Sequence, residues 1–302
     1  MSRDTPVNVV GAIVRTAVRP LFGPGVPVPV QRVLLEATCR TLPGARVRHT
    51  RAYMAGVPVL ILAPDDGPAQ RTILYLHGGG YVVGSARSHL ALTSRLARAA
   101  HARVIAVDYR LAPEHPFPAA WEDAAAVYGA LCADGTAPGS VCIAGDSAGG
   151  GLALTTVLEA RQRGLPRPGA LVMFSPWLDL RPPAAHAAAG GEDPMLTVAG
   201  LERWAALYAG SHPRTDPRLS PSLAEDLSGL PPTLIQYDAG ELLARDTLAF
   251  STRARTAGAE LTLQPFSGLW HVFELFTLLA PARAAITLAG AFIATHTAPP
   301  PS

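Results

Sequence analysis

The chain has 302 residues, of which 49% are hydrophobic and 16% charged, with a formal net charge of +2. That is enough apolar material for a large core and excludes a disordered chain. The small charge and the lack of a basic run give no footprint for nucleic acid or an anionic membrane, and no stretch approaches the ~18 uninterrupted apolar residues of a membrane span.

Residues 1–45 read as mostly helical. The apolar run Val7–Val14 is short, carries Asn8 and ends at Arg15 without a small-residue cleavage site, so an amphipathic start is expected rather than a signal peptide. Apolar residues recur around Val10, Ile13, Val14 and Val18, and again at Val30, Val33, Leu34 and Leu35. The breaker-rich stretch Pro20–Pro29 separates the two segments. Such an arm could pack on the domain or cover its site. The three cysteines, Cys39, Cys132 and Cys142, are odd in number and lack metal-ligand spacing. They fit a reducing, cytoplasmic setting, with Cys142 read as a buried thiol.

From residue 46 the pattern changes to short strands. Val47–Met54 and Pro58–Ala63 flank Ala55-Gly56 as a hairpin. Thr72–Leu76, Arg103–Val107, Ser140–Ala144, Ala170–Phe174, Pro232–Tyr237 and Glu260–Pro265 are continuous apolar or β-branched runs, as in strands covered on both faces. Helices are expected at Ser88–Ala100, Ala119–Leu131, Leu152–Arg163, Leu242–Thr256 and Pro281–Thr295. The alternation predicts an α/β fold: a mostly parallel, eight-stranded sheet with helices on both faces and an antiparallel start. Between about 180 and 230 the rhythm breaks around a helix near Val198–Tyr208. An insertion after the carboxyl end of a strand lies where α/β sheets bind ligands, which makes it a candidate lid. No internal repeat is present.

The stretch Val141–Gly151 carries the chemistry. An apolar run enters Gly145-Asp-Ser147-Ala-Gly149, and a helix-prone segment follows, the layout of a sharp turn that exposes a nucleophilic serine. Upstream, His77-Gly-Gly-Gly80 directly follows a strand. A Gly run there bends the backbone so that N–H groups can approach a carbonyl oxygen, and Gly78, Gly79 and Ala148 are the expected donors of an oxyanion hole. A flexible turn is the bland reading. The position right after a strand, about 70 residues before Ser147, argues against it.

These two motifs, with Asp108-Tyr-Arg-Leu-Ala-Pro-Glu-His-Pro-Phe-Pro118 between them, resemble the hormone-sensitive-lipase-like esterases (bacterial family IV) of the α/β-hydrolase fold. The resemblance runs from about residue 50 to 275. It implies a helical cap in two pieces, the arm at 1–45 and an insertion at 181–229, on a catalytic domain of 46–180 and 230–302.

Among nine histidines, His271 lies after the last strand and before a helix, the chain position of a triad base. Gly268-Leu-Trp-His271-Val-Phe273 is similar to the family's Gly-x-x-His-x-Phe. His89, His101, His115, His186, His212 and His296 lack such context, and His77 is read as a prop for the oxyanion loop. The acid should follow the strand 232–237. Aligned on Leu234-Ile-Gln236, the family's acid, usually Asp, falls on Glu241, 30 residues before His271. Glu would displace the carboxylate by about 1.5 Å, one bond length, and either residue serves in this fold. Asp238 is the alternative, three residues early, and Asp246 is read as a helix cap or ion-pair partner. Asp146, Asp108, Glu114 and His115 are read as braces. Tyr81, Trp204 and Tyr208 are candidate substrate contacts.

The expected protein is a serine carboxylesterase acting on short- to medium-chain acyl esters of small molecules, with no cofactor and no metal, and a homodimer is an admissible assembly. A deacetylase, lactonase or acyltransferase acting on a small natural product would use the same machinery. A non-catalytic binder on this fold would typically lack the serine or the histidine, and both are here.

Overall fold

The central strands are mostly apolar and almost wholly buried because both faces of the sheet are covered. In the computed structural model, which describes residues 5–65, 67, 69, 71–181 and 193–298, eight strands run in the order β1-β2-β4-β3-β5-β6-β7-β8. They are β1 (Val47–Met54), β2 (Val57–Pro64), β3 (Arg71–Leu76), β4 (Ala102–Val107), β5 (Val141–Asp146), β6 (Ala170–Phe174), β7 (Thr233–Asp238) and β8 (Leu261–Phe266). β1 and β2 pair antiparallel, as do β2 and β4, and every later pairing is parallel. The helices are α1 (Val7–Ile13), α2 (Val28–Cys39), α3 (Leu90–Ala99), α4 (Ala119–Ala133), α5 (Ala148–Gln162), α6 (Val198–Ala209), α7 (Ala244–Thr256) and α8 (Ala280–His296).

The strand period of two splits each apolar run between two cores. Ile73, Tyr75, Val104, Cys142, Ala144, Val172 and Phe174 face α3 and α8, where Leu92, Leu96, Ile286 and Ile293 meet them. Leu74, Leu76, Ile105, Ile143, Leu171, Met173 and Ile235 face α4, α5 and α7 and join the larger cluster, which continues into α6 and the arm. Each fully buried Leu or Ile contributes roughly 1.5–3 kcal/mol. The parallel register ends the strands together: Leu76 stands opposite Gly145, Asp146 opposite Phe174, and Asp238 opposite Phe266. Whatever follows those positions meets at one edge, the carboxyl end of the sheet.

One expectation needs correction. Not all of the recurring apolar residues of the arm face inward. α1 stops at Ile13, a π-helical turn over Val14–Val18 and a 3-10 turn over Arg19–Phe22 follow, and the change of pitch shifts the phase. Val10 and Val14 are buried, but Ile13, Val30 and Val33 are 53%, 45% and 67% exposed. In α2 the buried positions are Val28, Gln31 and Cys39, so a glutamine faces inward while Val30 and Val33 do not. α5 starts at Ala148, directly after the elbow serine, and runs through the expected Leu152–Arg163 stretch as far as Gln162. His186 and the first part of the expected lid, residues 182–192, lie outside the described residues. Among the described residues no helix is long and apolar enough to cross a membrane.

α3 and α8 cross closely because α8 carries Gly290 there. A Cβ at Gly290 would lie 2.4 Å from the Cβ of Ala99 and 2.6 Å from its carbonyl carbon. Alanine would gain roughly 0.5–1 kcal/mol of helix propensity, but the overlap forces the helices apart at a cost of about 1–3 kcal/mol. Gly290→Ala is therefore expected to lower the melting temperature by a few degrees while activity per folded molecule is unchanged. A raised melting temperature would show that the crossing can widen freely.

Candidate active site

The elbow is the turn between β5 and α5. Ser147 adopts φ 52° and ψ −122°, a left-handed region that costs a non-glycine residue of order 1–2 kcal/mol. It is held there from outside: its N–H donates to Phe174 O at 2.9 Å, and its carbonyl accepts from Gly151 at 3.1 Å and Trp177 at 2.8 Å. Glycine is required on both sides because the start of α5 lies directly on β3. A Cβ at Gly149 would come within 2.0 Å of Leu76 O, and one at Gly145 within 2.2 Å of Gly149 O. Tyr81, Ser175 and Val272 also have positive φ, so four of the six such non-glycine residues described surround this site. Strain of that kind persists only where the surroundings over-determine it.

His271 Nε2 lies 2.8 Å from Ser147 Oγ. Its Nδ1 faces Glu241 Oε1 at 3.5 Å, an ion-pair distance slightly too long for a hydrogen bond, so neither atom has another partner among the described residues. The other carboxylate oxygen, Oε2, accepts from Ser175 Oγ at 2.6 Å and from the Asp238 N–H at 3.3 Å. Ser175 Oγ in turn accepts from the Val272 N–H at 3.1 Å, which ties the end of β6 to the histidine loop. Asp238 faces elsewhere: Oδ1 takes the Gly240 N–H and Oδ2 the Leu269 N–H, both at 2.9 Å. Burial pushes Glu241 above the usual carboxylate range, against the pull of His271. Burial alone would lower His271, but Glu241 outweighs it and holds the imidazole above its ordinary value.

The oxyanion loop is fixed peptide by peptide. The His77 carbonyl accepts from Tyr109 Oη at 2.6 Å, and the N–H of the same peptide, Gly78, donates to Asp146 Oδ1 at 3.0 Å. The Gly78 carbonyl lies 2.8 Å from His77 Nδ1. A carbonyl only accepts, so Nδ1 carries the proton, and burial, the largest influence, lowers the His77 pKa to about 3, which keeps the ring neutral. The Gly79 carbonyl accepts from Val82 at 3.0 Å and Val83 at 2.9 Å. In a trans peptide C=O and N–H point opposite ways, so these anchors turn the Gly79 and Gly80 N–H groups away from them. Among the described hydrogen bonds none takes the N–H of Gly79, Gly80 or Ala148. The expectation that Gly78 donates to an oxyanion is corrected: its N–H is spent on a buried carboxylate.

That carboxylate, Asp146, is 1% exposed. It also accepts from Tyr75 Oη at 2.7 Å and pairs with His89 Nε2 at 3.2 Å. His89 Nδ1 lies 2.9 Å from Ser88 Oγ and 3.2 Å from the Ser85 carbonyl, and its Nε2 faces the carboxylate of Asp146. Burial opposes both charges, yet each partner overcomes it: Asp146 lies below its ordinary pKa and His89 above.

Trp204 presses on the oxyanion loop, and a Cβ at Gly80 would meet its ring at 2.4 Å. Tyr81 stacks on Tyr208 at 3.8 Å between centroids, and the Tyr81 hydroxyl lies 3.1 Å from where a Gly151 Cβ would be. Of the three candidate contacts, Trp204 is the one whose ring lies across from Gly80. The sequence did not single out Ser175, His89, Asp193 or Gln31. Asp193 is buried, and its Oδ2 accepts from the Leu242 N–H at 3.1 Å, bracing the loop after Glu241. For Ser175 a signal existed: a serine ending the strand beside the elbow. Among the described residues no group of three His, Cys, Asp or Glu is arranged to hold a metal.

Residues 73–275 match the model of an α/β-hydrolase-fold family. The chain is 45% identical over 238 residues to an acetyl-hydrolase of Streptomyces hygroscopicus, covering 78% of each chain. It is 37% identical over 295 residues to a putative acetyl-hydrolase of Mycobacterium tuberculosis, covering 96% of this chain and 94% of that one. A hormone-sensitive lipase from a metagenome library superposes with a TM-score of 0.92 at 35% identity, over 97% of this chain and 99% of the other. The chain belongs to the hormone-sensitive-lipase-like family of α/β-hydrolases. It is a serine esterase, a carboxylic ester hydrolase that acts on a small-molecule ester.

In this esterase Asp146 joins β5, β3, the oxyanion loop and α3. Asp146→Ala would orphan three buried partners and is expected to cost roughly 3–5 kcal/mol. The folded pKa of Asp146 is depressed, so its contribution is present above the unfolded value and lost as pH falls through the lower folded one. That of His89 is raised, so its share is full below the ordinary histidine value and lost as pH rises through the folded one. Urea unfolding should show the wild-type advantage over Asp146→Ala as large near neutrality and shrinking in strong acid. An advantage independent of pH in that acid range would remove the charge pair from the explanation.

Proposed function

We propose that Ser147, His271 and Glu241 are the nucleophile, base and acid of this esterase, and that it hydrolyses short- to medium-chain acyl esters through an acyl-enzyme. The observation that carries the reading is the 2.8 Å contact of His271 Nε2 with Ser147 Oγ at a strained elbow. Ser147 Oγ attacks the ester carbonyl as Nε2 takes its proton. The tetrahedral intermediate expels the alcohol, which receives that proton, and water activated by the same nitrogen releases the acid. This requires the imidazole proton on Nδ1, facing Glu241, whose carboxylate then stabilises the imidazolium. Glutamate reaches this position because Ser175 and the Asp238 N–H anchor Oε2 and leave Oε1 toward the histidine.

The oxyanion donors are Gly79, Gly80 and Ala148, with Gly80 in place of Gly78. Removing one side-chain donor from such a hole costs roughly 10²–10³ in rate. The arm at 1–45 and the described part of 181–229 serve as the cap on a catalytic domain of 46–180 and 230–302. Contacts between arm and α6 support this: Gln31 with Trp204, Arg203 with Val26 O at 2.7 Å, and Phe22 edge-on to Trp204. Trp204 walls the acyl side at Gly80, while Tyr81 and Tyr208 tie the cap to the loop. A wall so close to the hole favours short acyl groups, as do the acetyl-hydrolase names of two relatives. The three free thiols support a cytoplasmic workplace, and the open edge of β8 supports a homodimer.

A fluorophosphonate probe should label the wild type rapidly and leave Ser147→Ala unlabelled, and p-nitrophenyl acetate and butyrate should be turned over faster than the palmitate. A well-folded wild type that resists labelling would sink the triad, and preference for emulsified palmitate would make the enzyme a lipase. For the acid, Glu241→Ala should lose activity by orders of magnitude, toward the ~10⁴ seen when a triad acid is neutralised. Asp238→Ala should act chiefly on stability. The reverse pattern in kcat would hand the role to Asp238.

A further inference from the structure

α2 lies outside the sheet, yet one of its side chains reaches into the oxyanion loop. We propose that Arg32 is a positioning residue for the oxyanion hole, holding the turn that presents the Gly80 N–H. This rests on the reading of Gly79, Gly80 and Ala148 as the oxyanion donors.

The guanidinium grips three places. Nε–H donates to Val82 O at 2.9 Å, Nη2–H to Ala112 O at 2.8 Å, and Nη1 and Nη2 hold Glu114 at 3.0 and 2.7 Å. Val82 belongs to the turn whose N–H groups, from Val82 and Val83, fix the Gly79 carbonyl. That carbonyl and the Gly80 N–H are opposite ends of one planar peptide, so the direction of the turn sets the direction of the donor. The turn does not hold itself. Tyr81 within it has φ +62°, a conformation that a tyrosine keeps only under outside restraint. One restraint is the Ala112 N–H on Tyr81 O at 2.9 Å. Arg32 supplies the other and, by holding Ala112 O as well, fixes the loop that provides the first.

On the opposite side of Gly80 stands Trp204, whose Nε1–H donates to Gln31 Oε1 at 3.3 Å. Adjacent residues of one helix, Gln31 and Arg32, therefore brace both sides of the same glycine. The planar fork of arginine suits acceptors lying in separate directions, which lysine cannot bridge together. The carboxylate of Glu114, half exposed beside Arg32, balances its charge. The main effect is thus geometric and does not come from an added positive field.

The test compares Arg32→Lys, which keeps the charge but not the fork, with Glu114→Gln, which removes the ion pair but keeps the grip on Val82 and Ala112. With p-nitrophenyl butyrate, R32K is expected to lose kcat by roughly 10- to 100-fold, less than a deleted donor, with KM within about threefold. A trifluoromethyl ketone, which forms an anionic adduct with the serine, should lose affinity by the same factor, while a non-reactive carboxamide analogue should not. E114Q should stay within about threefold in kcat. Arg32→Gln, with one donor and no charge, is read by the same criteria where R32K does not fold. Unchanged kcat in the arginine variants, a loss carried by KM, a ketone affinity that does not follow kcat, or an equal loss in E114Q would each overturn the proposal. Failure of the wild type to react with a fluorophosphonate would instead overturn the triad reading.

Discussion

The site depends first on one buried negative charge. Asp146 sits between Ser147 and the glycine loop, and its oxygens accept from Tyr75, the Gly78 N–H and His89. An isolated carboxylate there would be prohibitive, because desolvation in a dry interior costs several kcal/mol per ion. It is tolerated because His89, whose pKa the same carboxylate raises against burial, and two further donors face it. Once so placed, it sets the distance between β5 and the loop after β3, which is the distance between a serine hydroxyl and the backbone donors that would face its tetrahedral adduct. Parallel pairing brings the strand ends to one edge, and Asp146 fixes them there.

The loop itself illustrates how a protein aims groups that have no side chain. Each peptide from His77 to Gly80 has one end anchored: by Tyr109, by the His77 ring, then by the amides of Val82 and Val83. Planarity does the rest. The first peptide is anchored at both ends, which removes Gly78 from the set of free donors. The next two are anchored only at their carbonyls. A neutral His77 is part of this device. Its ring lies 5.5 Å from His89, and burial, then that neighbour, keeps it from taking a second proton that no acceptor awaits.

Much of this was legible in the chain, and the boundary of legibility is physical. Strands covered on both faces announce themselves as short apolar runs, so β1 and β6 fall where the pattern puts them, and the elbow and His271 follow from motif and chain order. Glu241 was set against Asp238 only through spacing; in the structure Glu241 Oε1 stands 3.5 Å from His271 Nδ1, while Asp238 accepts from the Gly240 and Leu269 N–H groups. What periodicity cannot reveal is a polar side chain used inward. Gln31 occupies a buried phase of α2 while Val30 and Val33 point out. Equally hidden are partners far apart in sequence: Arg32 meets Val82 across 50 residues, and Ser175 meets Glu241 across 66. Gly78 was misassigned because three consecutive glycines look alike in sequence, and only the acceptor beside each one tells them apart.

The arm therefore has a different standing from a lid laid over a finished site. α1 reaches the base side, where a Cβ at Gly11 would lie 3.3 Å from the ring of Trp270, next to His271. α2 reaches the oxyanion side through Arg32 and, through Gln31, the tryptophan that walls it. One continuous N-terminal segment thus touches the neighbours of both halves of the chemistry. The strained residues at the site, Tyr81, Ser147, Ser175 and Val272, each lie where restraint from outside the local turn is needed. Strain at the catalytic edge and the inward polar contacts of the arm are then two sides of one arrangement. The sheet brings the groups together, and the segment farthest from the triad in sequence keeps the loops beside them from relaxing.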